Sequence, residues 1–342
     1  MSFTDRVVVT GGAGFIGSHY VRQLVTGAYP AFADASVVVL DKLTYAGNEE
    51  NLAPVSDDRR FELVVGDVCD GELLAEVLPG ADVVVHFAAE SHVDRSIVGS
   101  TDFMQTNVLG THSVFQACLD AGVKRVVQVS TDEVYGSIEA GSWTEDEPLE
   151  PNSPYSASKA AADLVARSFY RTYGLPVCVT RCSNNYGPYQ YPEKIIPLFI
   201  TNLLLGEPLP LYGDGGNVRD WLHVDDHCRA VQLVVEGGRP GHVYNIGGGT
   251  ELTNRELTAR LLKETGADWS AVRNVPDRPG HDQRYSVDWT KISAELGYLP
   301  RVGLETGLAE TVRWYVENRS WWEPLREKAE RARDGSPARA AV

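Results

Sequence analysis

The chain has little cysteine, and its cysteines form no recognisable framework. Five cysteines occur among 342 residues, and no two of them make a Cys-x-x-Cys pair. An odd number of scattered thiols in a chain of this length argues against the disulfide scaffold typical of small secreted domains. We therefore expect a reducing, cytoplasmic compartment.

Membrane-directing segments are also missing. The sequence begins MSFTDRVVVTGG, without the basic stretch, apolar region and cleavage site of a secretory signal. No apolar run approaches the roughly 20 residues that a membrane-spanning helix requires. Positive charge is scarce, with 31 Lys and Arg against 47 Asp and Glu. A net charge of −16 argues against nucleic-acid or anionic-membrane partners, although a small anionic ligand remains compatible with local donors.

What the sequence does contain is the alternation of an α/β protein. Short β-rich runs, apolar on both faces, are separated through the first half by stretches long enough for crossover helices. These runs cover residues 6–10, 37–40, 61–65, 83–87 and 125–129. Such a pattern is typical of a parallel sheet with helices on both sides. We predict a doubly wound, Rossmann-type parallel sheet.

A glycine-rich loop follows the first of these runs. Gly12, Gly14 and Gly17 match G-x-G-x-x-G within TGGAGFIGS, and a helical pattern comes next. In that context the glycines let the backbone approach a pyrophosphate, and the helix N-terminus offers N–H donors. The alternative is a tight turn without a ligand. We predict a dinucleotide site.

An acidic residue at the end of the second run indicates which dinucleotide binds. Asp41 is placed to accept hydrogen bonds from the adenosine ribose and to repel a 2′-phosphate, which favours NAD over NADP. Lys42 follows it and would soften that repulsion, so NADP remains the alternative. Asp67 and Val68, after the third run, are candidates for the adenine pocket, although such an acid is often only a cap or turn former.

Tyr155 and Lys159 are candidate catalytic residues. They form Tyr-x-x-x-Lys at the start of a helical run and share one helix face. An ammonium group and a nicotinamide cation both stabilise phenolate, so we predict a lowered tyrosine pKa and a base for a sugar hydroxyl. The alternative is a surface tyrosine beside a solvated lysine, without a catalytic role.

Two adjacent carboxyls follow the fifth run. Thr131, Asp132 and Glu133 lie at the carboxyl end of the predicted sheet, where doubly wound folds bind ligands. Hydride transfer alone needs only the Tyr and Lys, whereas eliminating water needs one group to remove a C–H proton and another to protonate the leaving hydroxyl. The acidic pair fits those tasks, unless it only forms a turn or caps a helix.

Histidines and carboxylates at residues 223–227 (HVDDH) invite a metal interpretation. The segment begins an apparent helix whose first turn suits Asp225 and Asp226, so we predict no metal. His92 and His281 are either ligand contacts or loop histidines.

The pattern loses its regularity after about residue 180, where loops rich in Gly, Pro and aromatics appear. We expect residues 1–180 to form the NAD-binding domain, with the chain returning to it at about 221–248 through a helix and a strand. Residues 181–325 should form mainly a smaller substrate-binding lobe. The charged segment 326–342 is predicted to be a flexible tail.

Together these motifs resemble the dTDP-glucose 4,6-dehydratases, extended members of the short-chain dehydrogenase/reductase superfamily. The resemblance runs from about residue 6 to 322. It is carried by TGGAGFIGS, DKLTYAGN, GDV, FAAESHVDRS, STDEVYG, YSASK, SNNYGPYQYPEK, RDWLHVDDH and DRPGHD.

The resemblance implies a redox-neutral cycle that makes the protein a lyase in deoxysugar biosynthesis. Tyr155 would deprotonate the glucose 4-hydroxyl while NAD⁺ takes the C4 hydride. Glu133 would then remove the C5 proton and Asp132 would protonate the departing C6 hydroxyl, before the hydride returns to C6 and C5 is reprotonated. Thr131 would hydrogen-bond the 4-oxygen, and Lys159 would orient the nicotinamide ribose.

The resemblance also implies ligand contacts. The expected NAD contacts are Gly11, Gly12, Gly14, Phe15, Ile16, Gly17, Asp41, Lys42, Thr44, Asp67, Val68, Ala88, Thr106, Tyr155, Lys159 and Asn185. The expected substrate contacts are Ser91, Thr131, Asn184, Lys194, Pro210, Tyr212, Arg219, Asn254, Asp277, Arg278, His281 and Asp282. Lys194 and Arg219 also have a physical rationale, since a diphosphate on an acidic protein needs local cations; solvated surface charge is the alternative.

Two rival functions share the dinucleotide site. A nucleotide-sugar 4-epimerase would oxidise C4 and return the hydride there, with no need of Asp132 and Glu133. A catalytically silent NAD-binding regulator would need neither that pair nor Tyr155 and Lys159. The residues alone fit thymidine or uridine, and the resemblance favours thymidine in dTDP-glucose. It further implies a homodimer formed through helices near residues 100–120 and 155–173.

Overall fold

The computed structural model describes residues 6–334, and their side chains to residue 329. The strands are β1 (Arg6–Thr10), β2 (Ser36–Asp41), β3 (Phe61–Val65), β4 (Val83–His86), β5 (Arg125–Thr131), β6 (Val177–Cys182), β7 (Asn184–Tyr186), β8 (Leu209–Tyr212), β9 (Val218–His223), β10 (Val243–Ile246), β11 (Glu251–Thr253) and β12 (Val272–Val275).

Helices connect most of these strands. They are α1 (Phe15–Val25), α2 (Gly71–Val77), α3 (Val93–Val98), α4 (Thr101–Phe103), α5 (Thr111–Asp120), α6 (Pro154–Tyr173), α7 (Ile195–Leu205), α8 (Val224–Gly237), α9 (Asn254–Thr265), α10 (Thr290–Leu296), α11 (Leu304–Glu317) and α12 (Arg319–Asp334). A π-helical stretch, Met104–Gly110, joins α4 to α5, and single 3₁₀ turns occur at Pro30–Phe32, Glu49–Asn51, Ala53–Val55, Asp132–Tyr135 and Trp269–Ala271. Within residues 6–334 no helix has both the length and the apolar character needed to cross a bilayer.

The main sheet confirms the predicted fold class. Seven strands pair in the order β10-β6-β5-β4-β1-β2-β3, and every pairing is parallel. The order reverses between β1 and β4, which opens a crevice at the carboxyl ends of the strands. All five predicted runs are strands of this sheet, and β10 returns to it as expected.

Side-chain alternation explains why helices cover both faces. Along β1, Val7 and Val9 belong to one hydrophobic cluster with α1 and α8, whereas Val8 belongs to another with α2, α5 and α6. Successive strand residues point to opposite faces, so a strand that is apolar throughout needs cover on both sides.

The second half contains strands that the sequence pattern did not reveal. One small sheet has the order β11-β9-β7 and another pairs β12 with β8. We expected loops after about residue 180, but β7 and β8 lie there, and the helix of the expected return at about 221–248 begins only at Val224, because the residues before it form β9. Strands of three to six residues paired with distant segments leave too short a pattern to recognise.

The expected flexible tail was also partly wrong. Helix α12 extends to Asp334, and Arg326 and Ala329 on it are buried. The helix packs through Trp322 into a third hydrophobic cluster, whose buried members all lie between residues 186 and 322. Residues 335–342 of the predicted tail lie outside the described part of the chain.

Candidate active site

The glycine-rich loop lies where β1 passes into α1. Gly11 has a positive φ of 69°, and a Cβ there would lie 2.5 Å from the backbone nitrogen of Ala88. A Cβ on Gly17 would lie 2.2 Å from the carbonyl oxygen of Gly11. Gly14 caps α1 without a side-chain acceptor, and the first turn carries no acid. The loop is therefore a close-fitting cradle whose helix N-terminus is available to a pyrophosphate.

Asp41 anchors this cradle from the end of β2. Its carboxylate accepts hydrogen bonds from the backbone N–H of Ala13 at 2.9 Å and of Leu43 at 2.8 Å. Burial raises its pKa, although these two hydrogen bonds act in the opposite direction. Lys42 donates to Asp67 at 2.7 Å, so its charge is paired. That pairing weakens the argument for a 2′-phosphate, and the site fits NAD better than NADP.

A cavity of about 450 Å³ begins at this loop and passes along the carboxyl ends of the strands. Of the expected cofactor residues its lining includes Gly11, Gly14, Phe15, Ile16, Gly17, Asp41, Lys42, Thr44, Asp67, Val68, Ala88, Thr106, Tyr155, Lys159 and Asn185. Of the expected catalytic and substrate residues it includes Ser91, Thr131, Asp132, Glu133, Asn184, Lys194, Pro210, Tyr212, Arg219, Asn254, Arg278 and His281. One continuous space thus joins the dinucleotide loop to both sets.

Three of the expected contacts do not line the cavity. Gly12 lies behind the loop, where a Cβ would meet the side chain of Val39 at 2.7 Å. Asp277 pairs with Nδ1 of His281 at 2.6 Å. Asp282 is buried and accepts hydrogen bonds from Tyr285 and Asn152, both at 2.6 Å. These residues shape the site from behind.

Tyr155 and Lys159 project from the first turns of α6. A capping box between Ser153 and Ser156 starts this helix, with Pro154 in its first turn. Lys159 is buried and its Nζ donates to the carbonyl oxygen of Val129 at 2.7 Å. This bond fixes the ammonium beneath the cavity floor.

Burial opposes the predicted lowering of the Tyr155 pKa. Burial raises that pKa well above its ordinary value, and the Glu133 carboxylate raises it further. A hydrogen bond with Thr131 acts in the opposite direction. Burial also lowers the pKa of Lys159. The sequence argument counted the nearby cation but could not count the desolvation of the phenol.

The acidic pair follows β5 in a 3₁₀ turn that Thr131 caps. The Thr131 hydroxyl donates to Oδ1 of Asp132 at 3.2 Å, whereas the buried Oδ2 of Asp132 has no partner among the described residues. Burial raises the Asp132 pKa well above its ordinary value, and Glu133 and Asp220 raise it further. Burial therefore favours the protonated form of the Asp132 carboxyl, and its Oδ2 is left for a ligand.

Glu133 has a different electrostatic environment. Burial raises its pKa, but Arg278, Lys194 and Arg219 oppose that effect in this order. Both pKa values are raised, but the three cations oppose the shift at Glu133, so Asp132 holds its proton more strongly than Glu133 does. Environments that separate two carboxyl pKa values in this way are typical of acid–base pairs.

Cations collect at the far end of the cavity. Lys194 donates to the carbonyl oxygen of Ser91 at 2.7 Å, and Arg219 donates to that of Asp282 at 3.0 Å while its guanidinium lies 4.2 Å from the centre of the Tyr285 ring. Arg278 donates to Asp94 at 2.9 Å. Three cations in one cavity of a protein with net charge −16 favour a diphosphate.

Asp94 was missed by the sequence reasoning. It lies in the first turn of α3 and accepts hydrogen bonds from Arg278 and, at 3.1 Å, from the Tyr212 hydroxyl. It thereby orients two expected substrate residues. The only available signal was its place inside SHVDRS, three residues after Ser91.

The HVDDH segment has structural uses. His223 caps α8 by accepting from the N–H of Asp225, and Asp226 accepts from the backbone N–H groups of Arg301 and Val302. His227 contacts Asn185 at 2.9 Å. Among the side chains of residues 6–329, no group of three or more His, Cys, Asp or Glu is arranged to hold a metal.

The fold and the site define an NAD-type dinucleotide enzyme of the extended short-chain dehydrogenase/reductase class. A family model described as GDP-mannose 4,6 dehydratase matches residues 8–311. A dTDP-glucose 4,6-dehydratase of Streptomyces niveus is 58% identical over 335 residues, which cover 98% of this chain and 99% of the relative. The chain therefore belongs to the nucleotide-sugar 4,6-dehydratase family, and its resemblance to dTDP-glucose 4,6-dehydratases is confirmed.

Solved structures agree with this assignment. The dTDP-glucose 4,6-dehydratase DesIV of Streptomyces venezuelae, solved with NAD bound, is 67% identical with a TM-score of 0.93, covering 94% of this chain and 99% of that one. A UDP-glucose 4-epimerase of Thermotoga maritima is 34% identical with a TM-score of 0.84, covering 92% and 99%. The fold is shared with epimerases, so the acidic pair has to distinguish the two reactions.

Proposed function

We propose that this protein dehydrates dTDP-glucose to dTDP-4-keto-6-deoxyglucose as an NAD-dependent hydro-lyase. The observation that carries the proposal is the presence of Asp132, Glu133 and Tyr155 in the same cavity as the glycine loop. The names of the relatives support the substrate, since the Streptomyces niveus and Streptomyces venezuelae proteins are dTDP-glucose 4,6-dehydratases.

The cradle at Gly11 and Gly17 would hold the pyrophosphate of NAD, and Asp41 would bind the adenosine ribose. When bound, NAD⁺ supplies a temporary hydride acceptor for sugar C4 and a hydride donor for C6. Lys159, fixed by the Val129 carbonyl, orients the nicotinamide ribose.

Tyr155 starts the reaction by taking the proton of the sugar 4-hydroxyl. The raised pKa that burial gives its phenol makes the phenolate strongly basic, so its formation depends on cationic charge beside the ring. Thr131 hydrogen-bonds the 4-oxygen and holds it near the phenol. Oxidation at C4 acidifies the proton on C5.

The acidic pair performs the elimination. Glu133 removes the C5 proton and Asp132 gives its proton to the C6 hydroxyl, which departs as water. The C5–C6 double bond left by this loss is then saturated when the hydride returns to C6 and a proton returns to C5, which gives the 4-keto-6-deoxy product. The unpartnered Oδ2 of Asp132 supports this assignment, because a buried carboxyl without a partner is costly unless a ligand completes its hydrogen bonds. An epimerase would have no use for this donor.

Lys194, Arg219 and Arg278 bind the diphosphate in this proposal. Ser91, Asn184, Pro210, Tyr212, Asn254 and His281 complete the nucleotide-sugar site, with Asp277 and Asp282 supporting its loop. Residues 1–180, with the return at about 221–248, serve as the NAD-binding domain, and residues 181–325 serve mainly as the substrate-binding lobe.

The direct test is incubation of the purified protein with NAD⁺ and dTDP-glucose, followed by mass spectrometry. Loss of one water together with a 4-keto group is the expected product. A product of unchanged mass in which glucose has become galactose would contradict dehydration and show that the protein is an epimerase.

The protein would act as a cytoplasmic homodimer. Its five cysteines are free thiols, in agreement with a reducing compartment. Leu109, beyond α4, and Leu164 on α6 expose 54% and 58% of their surface, and these two helical segments pack together, so the exposed leucines form an apolar face that suits a subunit contact.

Light scattering after gel filtration tests the dimer. Leu164→Glu should give a monomer, whereas Leu299→Glu, equally exposed at 58% but outside this face, should leave the mass unchanged. A wild-type monomer, or a Leu164→Glu dimer, would contradict the proposed interface.

A further inference from the structure

A hydrogen-bond chain joins the C-terminal helix to the glycine loop. The indole N–H of Trp321 on α12 donates to Oδ1 of Asn51 at 3.0 Å, and Nδ2 of Asn51 donates to the carbonyl oxygen of Ala13 at 2.8 Å. The N–H of Ala13 donates in turn to Asp41. The backbone N–H and carbonyl of Ala13 therefore both have hydrogen-bond partners. One of these partners, Asn51, is itself bonded to Trp321, which lies 270 positions further along the sequence.

Asn51 is only 2% exposed and makes a further contact outside this series of hydrogen bonds. The backbone carbonyl oxygen of Asn51 accepts a hydrogen bond from the Arg22 guanidinium of α1 at 2.6 Å. The same guanidinium lies 4.2 Å from the centre of the Tyr189 ring. Tyr189 has a φ of 68°, a conformation that residues with side chains rarely adopt. The rings of Trp314 and Trp321 pack against it at 4.5 and 5.5 Å between centroids. The C-terminal helices therefore fix a strained loop as well as Asn51.

Two loops meet above the dinucleotide part of the cavity. We call residues 42–51 the cofactor loop and residues 187–191 the aromatic loop. Members of both loops line the cavity, and Tyr45 of the first contacts Tyr191 of the second edge to face, with 5.7 Å between ring centroids. The Tyr191 hydroxyl donates to the carbonyl oxygen of Leu325 on α12 at 3.3 Å. Helix α12 thus holds both loops in contact.

We propose that Trp321 and Asn51 form a clasp that keeps the cofactor and aromatic loops closed and so sets the rate at which NAD leaves. This inference rests on the proposed function for the identity of the cofactor. Trp321 lines no part of the cavity, so it is a positioning residue that acts through Asn51 and Tyr189.

The clasp suits a reaction that returns its hydride to the same sugar. Such an enzyme does not exchange its cofactor at each turnover, so closed loops cost it nothing in rate. Opening both loops requires breaking the Trp321–Asn51 bond and the Tyr45–Tyr191 contact together. Weakening one of them raises the population of the open state, and release should accelerate in proportion.

The test measures release of NAD from the loaded full-length protein after dilution, with an enzymatic assay for free NAD⁺ and no sugar nucleotide present. Trp321→Phe keeps the ring but removes the donor, and should accelerate release about threefold to tenfold, the range expected for one hydrogen bond. Affinity for dTDP should stay the same, because the diphosphate cations do not contact Trp321.

Trp322→Phe is the matched control. Its indole N–H donates to the carbonyl oxygen of Tyr315 at 2.7 Å, so the change removes a donor from the same helix without touching Asn51. It should lower the melting temperature and leave the NAD release rate unchanged. If both variants accelerated NAD release equally, the effect would be due to general destabilisation, and the proposed clasp would be wrong.

Asn51→Asp is an independent variant that decides the question if Trp321→Phe does not fold. It keeps an acceptor for Trp321 but replaces the donor to the Ala13 carbonyl with a carboxylate, and should accelerate release. Release at the wild-type rate from either variant would refute the proposal. Because no sugar is present, failure of the clasp is distinguishable from failure of dehydration.

Discussion

In the proposed reaction, two adjacent acidic residues take opposite roles because their surroundings differ. Asp132 is buried beside Glu133 and Asp220, which favour its protonated form. Glu133 faces three cations, which favour its carboxylate. The residues alone indicated that two acids were available, and only the family resemblance assigned their roles, because the charges that distinguish them come from residues 194–278.

Glu133→Gln should separate oxidation from elimination. The amide cannot accept the C5 proton, so C4 oxidation should continue while exchange of the C5 hydrogen with solvent deuterium should stop. Tyr155→Phe is the contrasting variant, since it should abolish C4 oxidation itself. Cofactor absorbance and NMR of the recovered sugar measure the two steps, and normal C5 exchange in Glu133→Gln would remove this residue from its role.

The pH dependence of kcat should follow the acidic pair. Glu133 must be ionised and its pKa is raised, so activity should fall as the pH drops through that value. Asp132 must be protonated and its pKa is raised further, so activity should fall again as the pH rises through it. Tyr155, whose pKa burial also raises, must lose its proton as well, so it adds to the acid limb and both limbs report coupled groups.

Asp132→Asn tests the alkaline limb. The amide cannot protonate the leaving hydroxyl, so dehydration should slow by about 10²- to 10⁴-fold, while C5 exchange persists. The alkaline limb should disappear from the residual rate. An unchanged limb in this variant would assign that titration to another group.

At the scale of elements, the sequence predicted those strands and helices that are long, buried and regular in their hydrophobic pattern. The strands of the main sheet through β5 were found because each is apolar on both faces, and Tyr155 and Lys159 were correctly placed on the long helix α6. The short strands β7 and β11 were not found, since three residues carry no period and their partner β9 is distant. The π-helical stretch before α5 was missed for a related reason, because nothing in its composition distinguishes it from an α-helix.

The capping box of α6 should contribute measurably to stability. Ser153 accepts a hydrogen bond from the Ser156 N–H at 3.1 Å, so Ser153→Ala leaves this donor without its partner at a buried helix start. We expect a loss of about 1 kcal/mol in the free energy of unfolding, measured with urea. Ser168→Ala, on the exposed face of the same helix, is the control and should change it much less. An equal loss in both variants would exclude a specific effect of the cap.

At the scale of the whole molecule, the site is assembled from distant parts of the chain. The residues proposed for catalysis come from the end of β5, the turn after it and α6, whereas the cations proposed to bind the diphosphate come from segments near residues 194, 219 and 278. The sequence motifs identified each of these groups of residues separately. The contacts that join them, such as Asp94 with Arg278 and Trp321 with Asn51, had no sequence signal, because each links residues more than 180 positions apart.

The central claim is that NAD stores the C4 hydride while the acidic pair eliminates water, and then the same hydride is delivered to C6. The most direct test uses dTDP-glucose with deuterium at C4, converted in ordinary water. The account predicts a product that has lost one water and carries the deuterium on C6, as read by NMR and mass spectrometry. Deuterium retained at C4 without loss of water, or lost to the solvent, would contradict it.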